Sequence, residues 1–422
     1  MSTDHLKAIS IAQLKTGMYV TKLDISWLDS PFLSHSRLIR QAEDIESLRA
    51  AGVKKLVIDV HKGGAPEAGE EKPPLVVPAT LAKNAPHIVE PVIGPSKAAI
   101  SCVKADFAEE MAAAVQLRGE IKKAVENVQR AFEAEAAVQV TGLLPLVDAT
   151  LESLARNDQA LMSLVHLSRK SQKIADHVFG SFCLVLNLAL VCKVTERDRE
   201  ELALAALLHE AGWAQLPTNL LGKRTLYTSN ELKLVRQHTS IGDRILARSE
   251  LPALTRRLVM EHHELLDGSG YPRGLKGAEL HPLGQLLSVV DTYEERVHQL
   301  CDEPGLIPTN ALRSLYLDAE RGVFSPEVVA AFIGMLGIYP TNTLVLLNTG
   351  EKALVKQHEP SAPLLPQILV VTDATGHPIQ PPLDVDLRNQ TGTPKRAIEC
   401  ALDPHADHHS RHLPSLEDLF DA

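Results

Sequence analysis

Adjacent imidazoles and carboxylates define the chemistry open to this chain. His209-Glu210 follows the apolar run Ala203 to Leu208, and His262-His263-Glu264 follows Leu258 to Glu261. Neighbouring side chains on a helix point about 100° apart, so a doublet at the end of a buried helix can reach one ion or two adjacent ions. Imidazole with carboxylate suits Fe, Mn, Zn and similar metals. His177 and His238 lie among apolar neighbours, and Asp291 follows the apolar run Leu286 to Val290 in a comparable position. A lone histidine, or even one His-His pair, carries little weight. The set His177, His209, Glu210, His238, His262, His263 and Asp291 within one helical segment is a candidate metal-ligand constellation.

The elements that must position these residues are mostly helices. Residues 141–337 read as helix after helix, punctuated by Pro145, Pro217, Pro252, Pro272 and Pro282, with almost no strand alternation. This predicts an all-α domain. Over residues 105–140, Phe107, Met111, Ala114, Leu117, Ile121, Val125, Val128 and Phe132 recur at steps of three and four, which predicts an amphipathic helix. Packing on the chain's own core is the first expectation for its apolar face, and a homodimer contact is the second. Residues 1–62 predict a small α+β domain, with β-formers from Gly17 to Trp27, a helix stopped by Gly52, and a strand from Val53 to Val60. Residues 63–104, rich in proline, read as a linker. Residues 338–388 predict a small β element with a turn at Asn348-Thr349-Gly350. Residues 389–422, with His405, His408, His409 and His412 in a polar setting, read as a disordered tail.

Composition narrows the function class. The 422 residues are 45% hydrophobic and 23% charged, which excludes a wholly disordered chain. With 43 Lys plus Arg against 53 Asp plus Glu, the net charge of -10 argues against binding a nucleic-acid polymer and requires a local site for any anionic ligand. The five cysteines include no C-x-x-C pair, and the first fifteen residues have no signal-peptide core, so a reducing cytoplasm is expected. The longest apolar run, Val178 to Cys192, is shorter than the ~20 residues of a membrane span and reads as a buried core helix rather than an anchor.

The run His262-His263-Glu264-Leu265-Leu266-Asp267-Gly268-Ser269-Gly270-Tyr271-Pro272-Arg273-Gly274, together with Leu207-Leu208-His209-Glu210 and Gln237-His238, resembles the HD-GYP family. The N-terminal module resembles the domain that often precedes it. The resemblance implies an HD-type helical bundle with two divalent metal ions, Fe or Mn, that hydrolyses cyclic di-GMP to linear dinucleotide or GMP in bacterial signalling. It assigns metal binding to His177, His209, Glu210, His238, His262, His263 and Asp291, with Glu210 and Asp291 catalytic. Gly268, Ser269, Gly270, Tyr271 and Arg273 are then the expected substrate loop, which in a non-catalytic member would instead capture signalling proteins.

Three positions depart from the family pattern. The doublet is His-Glu rather than His-Asp, which sets the carboxylate one methylene further from the backbone. Trp213 stands where the family has a lysine, so its charge is missing. The basic run that follows the last ligand is replaced by an acidic one, Tyr293-Glu294-Glu295-Arg296 onward, leaving Arg273 and Arg296 as substitutes. Some members hold a third metal through a glutamate four residues before the first histidine; Lys173 stands there, which predicts two metals at most.

Overall fold

The computed structural model describes residues 6–23, 37–39, 42–50, 52–60, 104–167, 173–221, 223, 226–298, 305–359, 362–391 and 393–403. The proline-rich linker and the histidines of the tail lie outside the described residues. The chain forms two compact units, residues 1–91 and 92–422.

In the first unit, β1 (Leu6–Ser10), β2 (Tyr19–Leu23), β3 (Arg37–Leu38) and β4 (Lys55–Asp59) form an antiparallel sheet of order β1-β4-β2-β3, accompanied by helix α1 (Ala42–Ala50). Gly52, at φ +82°, adopts the left-handed backbone that ends α1 and lets Val53 turn into the sheet. Ile9, Val20, Ile39, Leu48, Leu56 and Ile58 form the core of this unit.

The second unit is helical. Helix α2 (Phe107–Glu133) opens on Asp106, whose carboxylate accepts the Glu109 amide. Its apolar stripe, including Ala114, Ile121 and Phe132, is buried in the same core as α3 (Leu144–Leu167) and α4 (Ile174–Val191). The face open to a homodimer in the sequence is therefore used within the chain. A buried carboxylate fastens α2 to α3: Glu110 accepts from the Arg156 guanidinium at 2.7 and 3.0 Å and from Ser153 at 2.7 Å. Helix α4 has the length and apolarity of a membrane span, yet 89% of it is buried inside the protein, as expected of a core helix.

The helices α5 (Glu196–Leu208), α6 (Ser229–Val235), α7 (His238–Leu246), α8 (Ala253–Glu261), α9 (Pro282–His298), α10 (Pro308–Glu320) and α11 (Pro326–Leu336) follow, with α5, α9 and α11 packed on α4, α8 on α5 and α7, and α10 on α9. Thr195 caps α5 and Thr228 caps α6, each accepting a backbone amide three residues on.

A five-stranded antiparallel sheet follows, of order β8-β7-β6-β5-β9: β5 (Leu344–Leu347), β6 (Lys352–Gln357), β7 (Gln367–Thr372), β8 (Pro378–Asp386) and β9 (Ile398–Ala401). This corrects the expected end of the β element at residue 388. Strand β9 pairs with β5, so the tail begins no earlier than residue 402. Strand β8 carries Pro381 and Pro382, which only an edge position tolerates.

Candidate metal centre

Four helix ends and one helix interior converge on a single buried cluster. Helix α4 supplies His177, the end of α5 His209 and Glu210, the start of α7 His238, the end of α8 His262 and His263, and α9 Asp291. All seven are buried, none more than 8% exposed. The apolar runs seen in the sequence explain this. Leu202 to Leu208 and Leu258 with Val259 seat α5 and α8 in the core, so the residues immediately after them emerge inside the protein.

The imidazoles are oriented by a repeated local device. Nδ1 of His209 lies 2.8 Å from the Ala206 carbonyl, Nδ1 of His238 2.7 Å from that of Val235, and Nδ1 of His262 2.7 Å from that of Val259. Each pair is three residues apart at a helix terminus, where carbonyls lack intrahelical partners. Donation from Nδ1 to the carbonyl leaves Nε2 with its lone pair directed at the cluster, the tautomer a metal ligand needs.

Two ligand sets share Glu210: His177, His209, Glu210 and Asp291, and Glu210, His238, His262 and His263. Glu210 Oε1 lies 3.7 Å from His177 Nε2 and 3.9 Å from His209 Nε2, while its Oε2 lies 3.8 Å from His238 Nε2. The longer glutamate thus presents one oxygen to each set. Within the sets, His177 and His209 Nε2 are 3.3 Å apart, and His238 and His262 Nε2 are 3.1 Å apart. Two nitrogens bound ~2.1 Å from one ion at about a right angle would be separated by ~3 Å. Glu210 Oε2 and Asp291 Oδ2 are buried without a hydrogen-bond partner, a costly state for carboxylate oxygens that a cation would relieve. The residues present therefore fit a dinuclear metal centre.

Electrostatics agree. Burial alone would raise the Glu210 carboxyl, but the surrounding histidines, His238 first, outweigh it and bring it down to about 2. Asp291 is likewise held well below the usual range against the effect of burial, by His263 and by hydrogen bonds from His177 and His209. Burial depresses His262 and His263 well below the ordinary imidazole value, so both are neutral near pH 7. Burial also disfavours charge on His177, but the hydrogen bonds of Asp291 (3.0 Å) and Glu210 prevail and raise it well above 6.5.

Glu295 escaped the sequence reading. It lies one turn after Asp291 on α9 and forms a third ligand group with His263 and Asp291. Burial, then the charges of Asp291 and Glu210, raise its carboxyl well above the usual range. The available signal was the i, i+4 spacing from Asp291, which places both acids on one helix face. The group shares His263 and Asp291 with the two sets above, so Glu295 adds one donor to the cluster.

The loop after α8 is built on a second buried carboxylate. Glu264 is fully buried and accepts the amides of Arg273 at 2.7 Å and Leu275 at 2.9 Å. Gly270 owes its identity to packing within the loop. A Cβ there would lie 2.4 Å from Leu265 N and 2.5 Å from the His263 carbonyl. Gly268 sits at φ +82°, and Ser269 donates through its amide and hydroxyl to Asp267 at 2.9 and 2.7 Å. These three residues make the turn; Tyr271 alone of the motif stacks on a candidate ligand, His263, at 4.6 Å between centroids.

The expected substitute cations are engaged elsewhere. Arg273 is held by buried Glu261 at 2.7 Å, alongside Arg257, and Arg296 is held by Asp318 at 2.6 Å. Trp213, in the lysine position, lies parallel to His238 at 5.6 Å. The acidic run continues beyond His298 outside the described residues.

A helical domain that gathers five imidazoles and an aspartate around a shared glutamate is an HD-type metal domain. Residues 155–328 match the HD domain model, residues 6–142 a domain of unknown function (DUF3391), and residues 344–405 a KOW domain associated with the HD domain. The chain is 31% identical over 386 residues to a cyclic di-GMP phosphodiesterase of Pseudomonas aeruginosa, covering 90% of this chain and 89% of that one. It is 37% identical to a cyclic di-GMP phosphodiesterase of Thermotoga maritima over 32% of this chain and 36% of that one. A 3'3'-cGAMP-specific phosphodiesterase of Vibrio cholerae is 26% identical over 50% of this chain and 44% of its own length. The chain belongs to the HD-GYP family.

Proposed function

We propose that this protein is a metal-dependent phosphodiesterase that opens cyclic di-GMP to the linear dinucleotide or GMP. The observation that carries the reading is the shared Glu210, whose two oxygens face two different histidine sets. Divalent ions bound there, Fe or Mn by the mixed imidazole and carboxylate donors, would lower the pKa of a bound water and polarise the scissile phosphate.

The chain's own residues prepare that chemistry. The carbonyls of Ala206, Val235 and Val259 fix three imidazoles against rotation. His177 Nε2 faces Asp291 at 3.0 Å and Glu210 at 3.7 Å, contacts that favour a proton at this atom, whose place a bound metal would take. Tyr271 covers one face of His263 and Trp213 one face of His238, so both rings are walled from water on the outer side. The free thiols of Cys183, Cys192 and Cys400 suit a reducing cytoplasm. Incubation of anaerobically purified protein with Mn(II) or Fe(II) and cyclic di-GMP, with 3'3'-cGAMP in parallel, tests the reading by chromatography of the products. Linear dinucleotide or GMP made by the wild type and not by His209→Ala supports it.

The cations lost at position 213 and after Asp291 favour a second reading, an impaired member that acts through signalling partners at the Gly-Tyr-Pro loop. Two bound metals with neither cyclic dinucleotide cleaved would select it.

A further inference from the structure

Cyclic di-GMP carries two phosphodiesters, so a site that cleaves one must also accommodate the charge of the other. The family lysine is replaced by Trp213, Arg273 is paired with Glu261 and Arg296 with Asp318. Among the described residues, Arg236 is a cation that lies against the motif tyrosine. It is the residue that follows α6, exposed, and its guanidinium carbon sits 5.0 Å from the centre of the Tyr271 ring. That ring stacks on His263 at 4.6 Å and 28°, and meets His238 edge-on at 6.3 Å. Arg236 is thus one ring removed from two candidate ligands, at the rim of the centre. No ion pair with a carboxylate occupies its guanidinium among the described residues. Cation–π attraction holds the guanidinium over the aromatic face, and a guanidinium placed there keeps N–H donors of the kind that bind phosphate.

We propose that Arg236, positioned by Tyr271, binds the phosphate of the cyclic dinucleotide that is not being cleaved, and supplies the positive charge absent from position 213. This rests on the phosphodiesterase reading. The sequence concealed it because Arg236 lies outside the runs that carry the resemblance, and only the fold brings it against Tyr271, thirty-five residues later.

The test compares metal-loaded wild type, Arg236→Ala and Arg236→Lys with cyclic di-GMP as substrate. A lost charge-assisted contact lowers kcat/KM by about 10–100-fold, expressed mainly in KM. Metal content and melting temperature should stay at wild-type values, and KM should depend less steeply on salt. Lysine should restore part of the loss, since it returns the charge without the stacked planar fork. Unchanged KM and salt dependence in Arg236→Ala overturn the assignment. So does a fall in metal content with KM intact, which would make Arg236 a support for Tyr271 and His263 only. Wild-type protein that holds two metals yet neither binds nor cleaves cyclic di-GMP would overturn the phosphodiesterase reading and this assignment together. Active wild type with an indifferent Arg236→Ala would overturn the assignment alone.

Discussion

Replacing Glu264 with alanine should loosen the loop of residues 265–277 while leaving the helices in place. The carboxylate is fully buried and accepts two backbone amides, Arg273 N at 2.7 Å and Leu275 N at 2.9 Å. A hydrogen bond to a charged group contributes about 1.5–3 kcal/mol, so the pair is worth about 3–6 kcal/mol to the closed loop, with relaxation of the loop favouring the lower end. That lower end corresponds to an opening equilibrium about 100-fold more favourable. Hydrogen exchange followed by mass spectrometry should show the amides of residues 273–275 exchanging about 100-fold faster, with α4 and α5 unaffected. Glu264→Gln keeps one acceptor oxygen but turns an amide donor toward the other N–H, so its effect should fall between wild type and alanine. Turnover should decline with loop protection, because the loop carries Tyr271, whose ring stacks on His263. Wild-type exchange at residues 273–275 in Glu264→Ala would refute the argument that this carboxylate holds the loop.

Gly212→Ala should be severe for its size. The added Cβ would lie 2.0 Å from the His238 carbonyl oxygen, so α7 must shift and carry His238 with it; about a tenfold or greater loss of metal affinity is expected by titration, and unchanged affinity would contradict the packing. Metal uptake at pH 7 should release a proton, because His177 is held protonated in the metal-free site and must be neutral to ligate. With its pKa raised above 6.5, apparent affinity should rise with pH through neutrality and level off once His177 is deprotonated. Calorimetry in buffers of different ionisation enthalpy reads the proton count, and uptake without release would count against it.

The ligand set was legible because its positions are marked twice. An apolar helical run fixes where the backbone is buried, and a polar doublet at its end can only point inward, as with Leu207-Leu208 before His209-Glu210. Glu295 was overlooked because it sits in a run of charges that resembles a solvated helix end; its half-buried place beside Asp291 comes from the packing of α9, which local pattern does not encode. The ion pair of Arg273 was not legible for a related reason. Its partner Glu261 lies twelve residues earlier at the end of α8, and only the loop path brings the charges together. The edge strand β9 was missed because it lies in the polar segment read as a tail, and an edge position accepts polar residues that read as coil. The helix over residues 107–133 was expected, and the structure decides between its two uses by burying its stripe against α3 and α4.

The most direct test of the account is the metal content of Glu210→Ala beside that of His177→Ala, measured by mass spectrometry after reconstitution and gel filtration. If Glu210 is shared by both sets, its loss should deplete both ions, whereas loss of His177 should weaken one. Glu210→Ala protein that retains two ions per chain would contradict the bridging role on which the proposed chemistry rests.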